Sequence, residues 1–358
     1  FLYKLFKIKS FIFIGLISYS LYLWHWPIIS FLKYIYVDGI PLNLVALSLV
    51  LIFSLSVFSW KFIEKPFLYK YSNITSIKFI LLCYIILIAI SVSVILSKKF
   101  PSRYEKFPNL IAESIKSSYD CPPIKYRKFK NTYGCYINLK DNEPPKNILF
   151  GNSHAYMYGW PFIEWLKKIN QNGLILQFSC LPYIDKNTSL SCLKKARSRF
   201  NSIIQSKDSQ NIFIGLTWYS KNLIDSKGNF IFDSDFEIRK KSLNFLISEL
   251  KKNKKKVFLI GPVPQPNYDF ASEYSRRLIF NVNKYEMKQS RNIFDKEYSE
   301  IIDYYENKLG KNFIQPHKKL CDGENCFFAD KKGALFSDSN HLSKYGAMKM
   351  LPLFHKKN

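Results

Sequence analysis

Apolar residues crowd the first hundred positions in three long runs, Phe11–Tyr36, Leu42–Trp60 and Ile77–Leu96, with almost no charge inside them. A helix needs about 20 consecutive apolar residues to cross a bilayer, and each run meets that length. The first is too long and too aromatic for a signal peptide, and no small-residue cleavage site follows it. Three such runs in succession argue for spans rather than for core helices of a soluble protein. Beyond Lys98 the pattern changes. Short apolar runs at Asn147–Phe150, Leu174–Ser179, Ile212–Thr217, Val257–Val263 and Phe313–Gln315 predict strands. Amphipathic stretches at Tyr156–Asn170, Leu193–Gln205, Phe236–Lys252 and Glu273–Leu309 predict helices. Strands separated by helices make βαβ units, hence an α/β fold with a parallel sheet covered on both faces. The stretch between, rich in Pro, Lys, Tyr and Ser and weak in periodicity, reads as a linker and lid. The expected organisation is transmembrane helices at 1–97, linker and lid at 98–146, and an extracytoplasmic domain at 147–358.

Charge gives these segments an orientation. The 358 residues include 53 Lys or Arg against 27 Asp or Glu, a formal net charge of +26. Lys4, Lys7 and Lys9 precede the first run, Lys61, Lys65 and Lys70 lie between the second and third, and Lys78 stands at the start of the third. The turn Val37–Pro41 carries no positive charge. Positive-inside reasoning puts the N-terminus and the second loop in the cytoplasm, and an odd number of spans sends everything after Lys98 outside. The lysines are scattered, and no zinc-finger, RNP or helix-turn-helix pattern accompanies them, which argues against nucleic acid. A basic surface suits anionic lipid headgroups or an acidic polysaccharide.

Cys83 sits in the third run, where it reads as inert packing. The other six cysteines fall into local pairs, Cys121 with Cys135, Cys180 with Cys192 and Cys321 with Cys326. An even number on an oxidising side argues for disulfides. Six cysteines allow 15 connectivities, and proximity selects the sequential pairing. A zinc site would need tight Cys-x-x-Cys or Cys/His clusters, which this sequence lacks, so no metal is expected.

Two short motifs carry the chemistry. Gly151-Asn152-Ser153-His154 directly follows the strand-like Ile148-Leu149-Phe150, and Asp338-Ser339-Asn340-His341 lies near the end of the chain. Gly151 suits a tight turn, and the helix that follows offers free N–H groups to an oxyanion. A serine in this place is either an exposed nucleophile or simply an N-cap. The second motif favours the nucleophile, because His341 can act as its base with Asp338 orienting the imidazole across one helical turn or a tight loop. The order Ser…Asp…His is that of α/β hydrolytic enzymes. Four other histidines fit the base less well. His355 is in the tail, and His317 sits beside Pro316 and two lysines, suggesting a neutral ring in solvent. His154 neighbours Ser153 on a turn and suits packing at the helix start. His25, within Trp24-His25-Trp26-Pro27 of the first run, reads equally as a functional intramembrane group or as part of an interfacial aromatic belt, with Pro27 freeing a carbonyl for it.

The run Ser18–Pro27 resembles the late transmembrane segment of the acyltransferase-3 membrane family, and Trp60–Phe67 is similar to that family's following cytoplasmic Glu-x-Pro turn. The Gly151–His154 and Asp338–Ser343 blocks resemble the SGNH hydrolase family in the form fused behind acyltransferase-3 domains, where they read Gly-Asp-Ser-His and Asp-x-x-His-Leu-Ser. Cysteines near Leu181-Pro182 and at Cys321-Asp322-Gly323 look like that fused form too. The resemblance implies a flavodoxin-like three-layer domain with Ser153, His341 and Asp338 as catalytic residues. It implies transfer of an acyl group, acetyl foremost, to hydroxyls of a surface polysaccharide or lipid-linked glycan. No cofactor is expected in this fragment; acetyl-CoA is the implied cytoplasmic donor of a longer protein that supplies the upstream spans. The implied location is a bacterial inner membrane, multi-pass, with the C-terminal domain in the periplasm or outside. An extracytoplasmic esterase and a non-catalytic glycan-binding module are the alternatives. Asn152 departs from the family's Asp, and its oxyanion Gly and Asn have no clear counterpart. Phe178-Ser179-Cys180 and Leu216-Thr217-Trp218 occupy suitable positions, so the N–H of Ser153, with Thr217 or Trp218, is the expected oxyanion set.

Overall fold

The computed structural model describes residues 8–36, 39–96, 119–140, 143–178, 180, 188–266, 268–280 and 287–355. Ser179, Leu181 and Pro182, most of the expected linker, and positions 281–286 of the expected long helix lie outside these. The chain folds as two compact units, one of apolar helices and one of the α/β sequence.

In the first unit Lys9–Ile35, Leu42–Tyr69 and Asn73–Leu96 are long and apolar enough to cross a membrane. The first two pack together, burying Ile17, Ser20, Ser48, Ile52 and Ser56. Serines at the contact let helix backbones approach closely, and Ser48 and Ser56 return their hydroxyls to carbonyls of their own helix. Trp60–Phe67, expected as a turn, is helical. The α-helix Leu42–Ser59 passes through a π-helical turn at Trp60–Glu64 into Lys65–Tyr69. Pro66, which has no N–H to give to the preceding turn, sits in the first turn of that last segment, directly after the π-helical residues. Glu64 accepts a hydrogen bond from Ser20 Oγ at 3.0 Å.

The second unit is built on one seven-stranded sheet. Its strands are β1 (Tyr126–Phe129), β2 (Thr132–Ile137), β3 (Asn147–Gly151), β4 (Gly173–Gln177), β5 (Asn211–Gly215), β8 (Lys256–Ile260) and β10 (Phe313–Ile314). β6 (Asn222–Ile224) and β7 (Phe230–Phe232) form a separate hairpin, and β9 (Lys288–Ser290) pairs with β11 (Asn325–Phe327). The sheet order is β1-β2-β4-β3-β5-β8-β10, parallel from β4 to β10 and antiparallel at the β1–β2 edge.

Period-two alternation sorts the strand side chains to two faces. Ile148, Phe150, Leu174, Leu176, Ile212 and Ile214 enter a core closed by the helices Ser191–Gln205, Glu237–Lys252 and Arg291–Leu309. On the other face the Phe213 ring meets Phe162, Trp165 and Phe354 at 5.7, 5.2 and 5.4 Å, from the helices Gly159–Ile169 and Leu351–His355. The result is three layers. After β3 the chain builds β4 on one side and then β5 on the other, so β3 is the switch strand, and the crevice beyond its carboxyl end is the customary ligand position in such sheets.

Three expectations need correction. Residues 126–137, assigned to a linker and lid, are the edge hairpin of the sheet. Glu273–Leu309 is not one helix. Phe270–Phe280 and Arg291–Leu309 are separate, because Lys288–Ser290 takes sheet hydrogen bonds from Asn325–Phe327, a segment closed by the Cys321–Cys326 bond. His317 is 2% exposed and packs on Phe294 at 5.1 Å, so it has no solvent role.

Candidate active site

β3 ends at Gly151, and the chain turns at once into the short helix Ser153–Tyr156. Glycine is required for close approach: a Cβ at Gly151 would lie 1.7 Å from the carbonyl oxygen of Gly215 on β5. Asn152 caps the helix, its Oδ1 accepting the N–H of His154 at 3.0 Å while its carbonyl accepts those of Ala155 and Tyr156. The N–H of Ser153 is left as the donor of this turn not engaged among the described residues. Asn152 Nδ2 donates to Thr217 Oγ1 at 2.8 Å, which ties the serine turn to the loop after β5.

The second motif closes as a tight turn, not a helix. Asp338 Oδ1 accepts the N–H groups of Asn340 and His341 at 2.8 and 2.7 Å, an aspartate turn of the kind this side chain favours. The His341 carbonyl accepts from Ser337 N, and Phe336 pairs with Leu342 across the base of the turn. The turn presents the imidazole to the serine. His341 Nε2 lies 2.8 Å from Ser153 Oγ, and His341 Nδ1 lies 2.8 Å from Asp338 Oδ2. Burial alone would raise the Asp338 carboxyl; the bonds from the His341 ring and the two N–H groups outweigh it and hold the group below the usual carboxylate range. Asp338 is therefore ionised at neutral pH and accepts from Nδ1–H, which leaves Nε2 as the basic nitrogen facing Ser153.

His154 is 3% exposed, its ring 4.9 Å from that of His341 and 5.8 Å from Tyr219. Burial, with His341 beside it, pushes its pKa down to about 3, so it is a neutral wall behind the triad histidine.

Thr217 is buried and engaged with Asn152. The side chain of Trp218, a residue of the expected oxyanion set, is committed elsewhere: its Nε1 donates to Ile260 O at 3.0 Å and its ring lies in the core. Its carbonyl accepts from Arg239 Nη1 at 2.8 Å, and Arg239 also bonds the carbonyl of Ser220. This fully buried arginine fastens the loop carrying Thr217 and Tyr219, and burial pulls its guanidinium down to about 10, still protonated at neutral pH. Nothing in the sequence distinguished Arg239 from the other basic residues.

His25 lies in the first unit. Its Nδ1 pairs with the Leu21 carbonyl at 3.2 Å, not with the Leu23 carbonyl that Pro27 frees. The disulfides are Cys121–Cys135, Cys180–Cys192 and Cys321–Cys326, with Cys83 free. Among the described residues no three His, Cys, Asp or Glu side chains gather as a metal site.

Fold and site together define a three-layer α/β domain with a serine–histidine–aspartate relay at its switch point. Residues 120–356 match the family model described as the SGNH domain fused to AT3 domains, and the chain belongs to that family. It is 45% identical over 65 residues to a candidate O-acetyltransferase of Staphylococcus aureus (strain COL), and 42% identical over 64 residues to O-acetyltransferase OatA of Staphylococcus aureus (strain NCTC 8325 / PS 47). Each match covers 18% of this chain and 11% of the relative's length. Among solved structures it is similar to the periplasmic domain of a Salmonella ser. Paratyphi A lipopolysaccharide acetyltransferase, at 17% identity and a TM-score of 0.46, over 60% of this chain and 84% of that one.

Proposed function

We propose that this chain forms the C-terminal spans and outer domain of a membrane O-acyltransferase that places acyl groups, acetyl foremost, on hydroxyls of a cell-surface glycan. The observation that supports this reading most is the continuous relay Ser153 Oγ–His341 Nε2 and His341 Nδ1–Asp338, at 2.8 Å in each link, in a chain of this family. Three apolar helices precede the domain and suit the membrane part. The names of the relatives agree with O-acetyl transfer.

In this mechanism Ser153 Oγ attacks the carbonyl carbon of the incoming acyl donor as His341 Nε2 takes its proton, and Asp338 stabilises the imidazolium through Nδ1–H. The N–H of Ser153 donates to the developing oxyanion. The donor's leaving group departs with the proton from His341. A glycan hydroxyl then gives its proton to Nε2 and attacks the acyl-serine carbonyl; the new ester forms as Ser153 Oγ leaves and takes the proton back from His341. Acetyl-CoA is the cytoplasmic donor expected for the longer protein, and no described residue is assigned to it. The positive-inside pattern of the lysines supports a domain beyond the membrane, where a surface glycan is within reach.

The test is Ser153→Ala in the full-length protein in cells, with glycan ester content measured by mass spectrometry. Loss of at least about a thousandfold in transfer at unchanged protein level is expected, as for removal of a covalent nucleophile. Retained acylation overturns the assignment. With the purified protein and an acyl ester, product on acceptor glycan supports transfer, and hydrolysis indifferent to acceptor supports an esterase instead.

A further inference from the structure

Beside the triad lies a cavity of about 590 Å³, within the roughly 300–1,000 Å³ range of ligand sites. Ser339 and Asn340, the two residues between Asp338 and His341, form part of its wall, so it opens against the relay. Tyr219 and Tyr268 also line it, and they stay 44% and 40% exposed. Large aromatic rings left open beside a reactive centre offer planar apolar faces at low entropic cost. The C–H face of a pyranose stacks on such a ring. The amides of Gln265 and Gln289 supply donors and acceptors for the hydroxyls at a sugar's edge.

The charge of this cavity opposes that of the chain. Although 53 residues are Lys or Arg, none is among the described residues lining it. Its charged members are Asp269 and Glu297. Lys221 pairs with Glu297 at 3.3 Å, while among the described residues the Asp269 carboxylate accepts hydrogen bonds from Ser272 alone, at the start of the helix Phe270–Phe280, and has no ion-pair partner. A uronate or phosphate entering here would meet the Asp269 carboxylate, and the nearby Lys221 is already paired with Glu297, so no unpaired cation among the described lining residues replaces its water.

We infer that this cavity is the acceptor subsite and that it selects uncharged sugars over anionic ones. The inference rests on the acyl-transfer reading above and adds to it the class of acceptor. Tyr219 stacks the sugar nearest Ser153, and Arg239, by holding the Trp218 and Ser220 carbonyls, keeps that ring in place.

The experiment uses the whole chain in nanodiscs, free of sugar-based detergent, on an array of neutral, N-acetylated and uronate- or phosphate-bearing glycans. Binding confined to uncharged glycans is expected. Tyr219→Ala and Tyr268→Ala should each weaken it about tenfold or more, whereas Tyr219→Phe and Tyr268→Phe, which keep the ring, should retain it. Gln289→Lys should admit anionic glycans. A preference for anionic glycans, absence of binding to any glycan, or indifference to the Tyr→Ala changes overturns the inference. Labelling of Ser153 by a fluorophosphonate, run in parallel, separates the two levels. Labelling without glycan binding removes the subsite and leaves the serine chemistry standing. Glycan binding without labelling keeps the subsite and removes the acyl-serine.

Discussion

The α/β unit should lose stability between pH 7.5 and pH 5, before its carboxylates titrate, because two histidines are folded in as neutral rings. His154 and His317 are 3% and 2% exposed. Burial pushes them down to about 3 and about 4; His341 adds to the effect at His154, and Arg291 and Lys318 at His317. An unfolded histidine titrates near 6.5, so between these limits the unfolded chain binds more protons and stability falls with pH. The direction is opposite to that of a histidine raised by a carboxylate. At pH 5 each ring is about 1.5 pH units below its unfolded pKa and still neutral in the fold. At 1.36 kcal/mol per unit this costs about 2 kcal/mol per histidine, about 4 kcal/mol together.

The assay is urea unfolding of the chain in nanodiscs at pH 7.5 and 5.0, read by hydrogen exchange in peptides of the sheet. With a slope of about 2 kcal/mol per molar, the midpoint should fall by about 2 M. His154→Phe and His317→Phe keep an aromatic ring where each now packs, against His341 and Tyr219 and against Phe294. Each should remove about half of the pH dependence, and the double variant nearly all of it. A midpoint unchanged at pH 5, or a full pH dependence in the double variant, would refute the reasoning. Asp338, whose carboxyl is held below the usual range, stays ionised across this window and does not confuse the result.

Two further variants probe the turn after β3, and a third probes the arginine that holds the loop after β5. Gly151→Ala should cost more than about 3 kcal/mol, because the new methyl meets the Gly215 backbone oxygen rather than a side chain that can move; a urea midpoint near that of the parent would contradict it. Asn152→Asp should be tolerated within about 1 kcal/mol at pH 7.5, since the Thr217 hydroxyl can turn from acceptor to donor and the added charge lies at a helix N-terminus. The same variant should raise the His154 pKa and shrink the acid loss; a larger acid loss would show the charge acting elsewhere. Arg239→Lys should cost about 1–3 kcal/mol, as one of the carbonyls of Trp218 and Ser220 loses its partner, and should raise the acceptor KM more than it lowers kcat. A change in kcat alone would count against a positioning role.

The buried centre of the sheet was legible because β3, β4, β5 and β8 are apolar on both faces and bounded by turn residues. The edge was not. β1 is exposed along most of its length and reads Tyr-Arg-Lys-Phe, so only Phe129 carries a hydrophobic signal; edge strands are kept polar because a row of unpaired backbone groups invites aggregation. The two site motifs were legible for a different reason. Each is a local turn whose side chains close their own hydrogen bonds, so glycine, asparagine and aspartate mark them in the sequence. Their meeting across 188 residues follows from the switch at β3, which the alternation of elements already implied.

What the sequence withheld is the cavity, whose wall is assembled from several separate segments. The cavity draws on residues near 219, at 265–266 and 268–269, near 289–298 and at 339–340, and its tyrosines are three of 24. Net charge illustrates the loss most directly. A total of +26 suggested an acidic polysaccharide, yet exposed charges further apart than about 8 Å are screened from one another at physiological salt. Lysines spread over the surface therefore govern what the domain drifts toward, including anionic headgroups. In the proposed subsite the choice of sugar falls to the groups that line the cavity, where Glu297 meets Lys221 at 3.3 Å and Asp269 has no ion pair among the described residues.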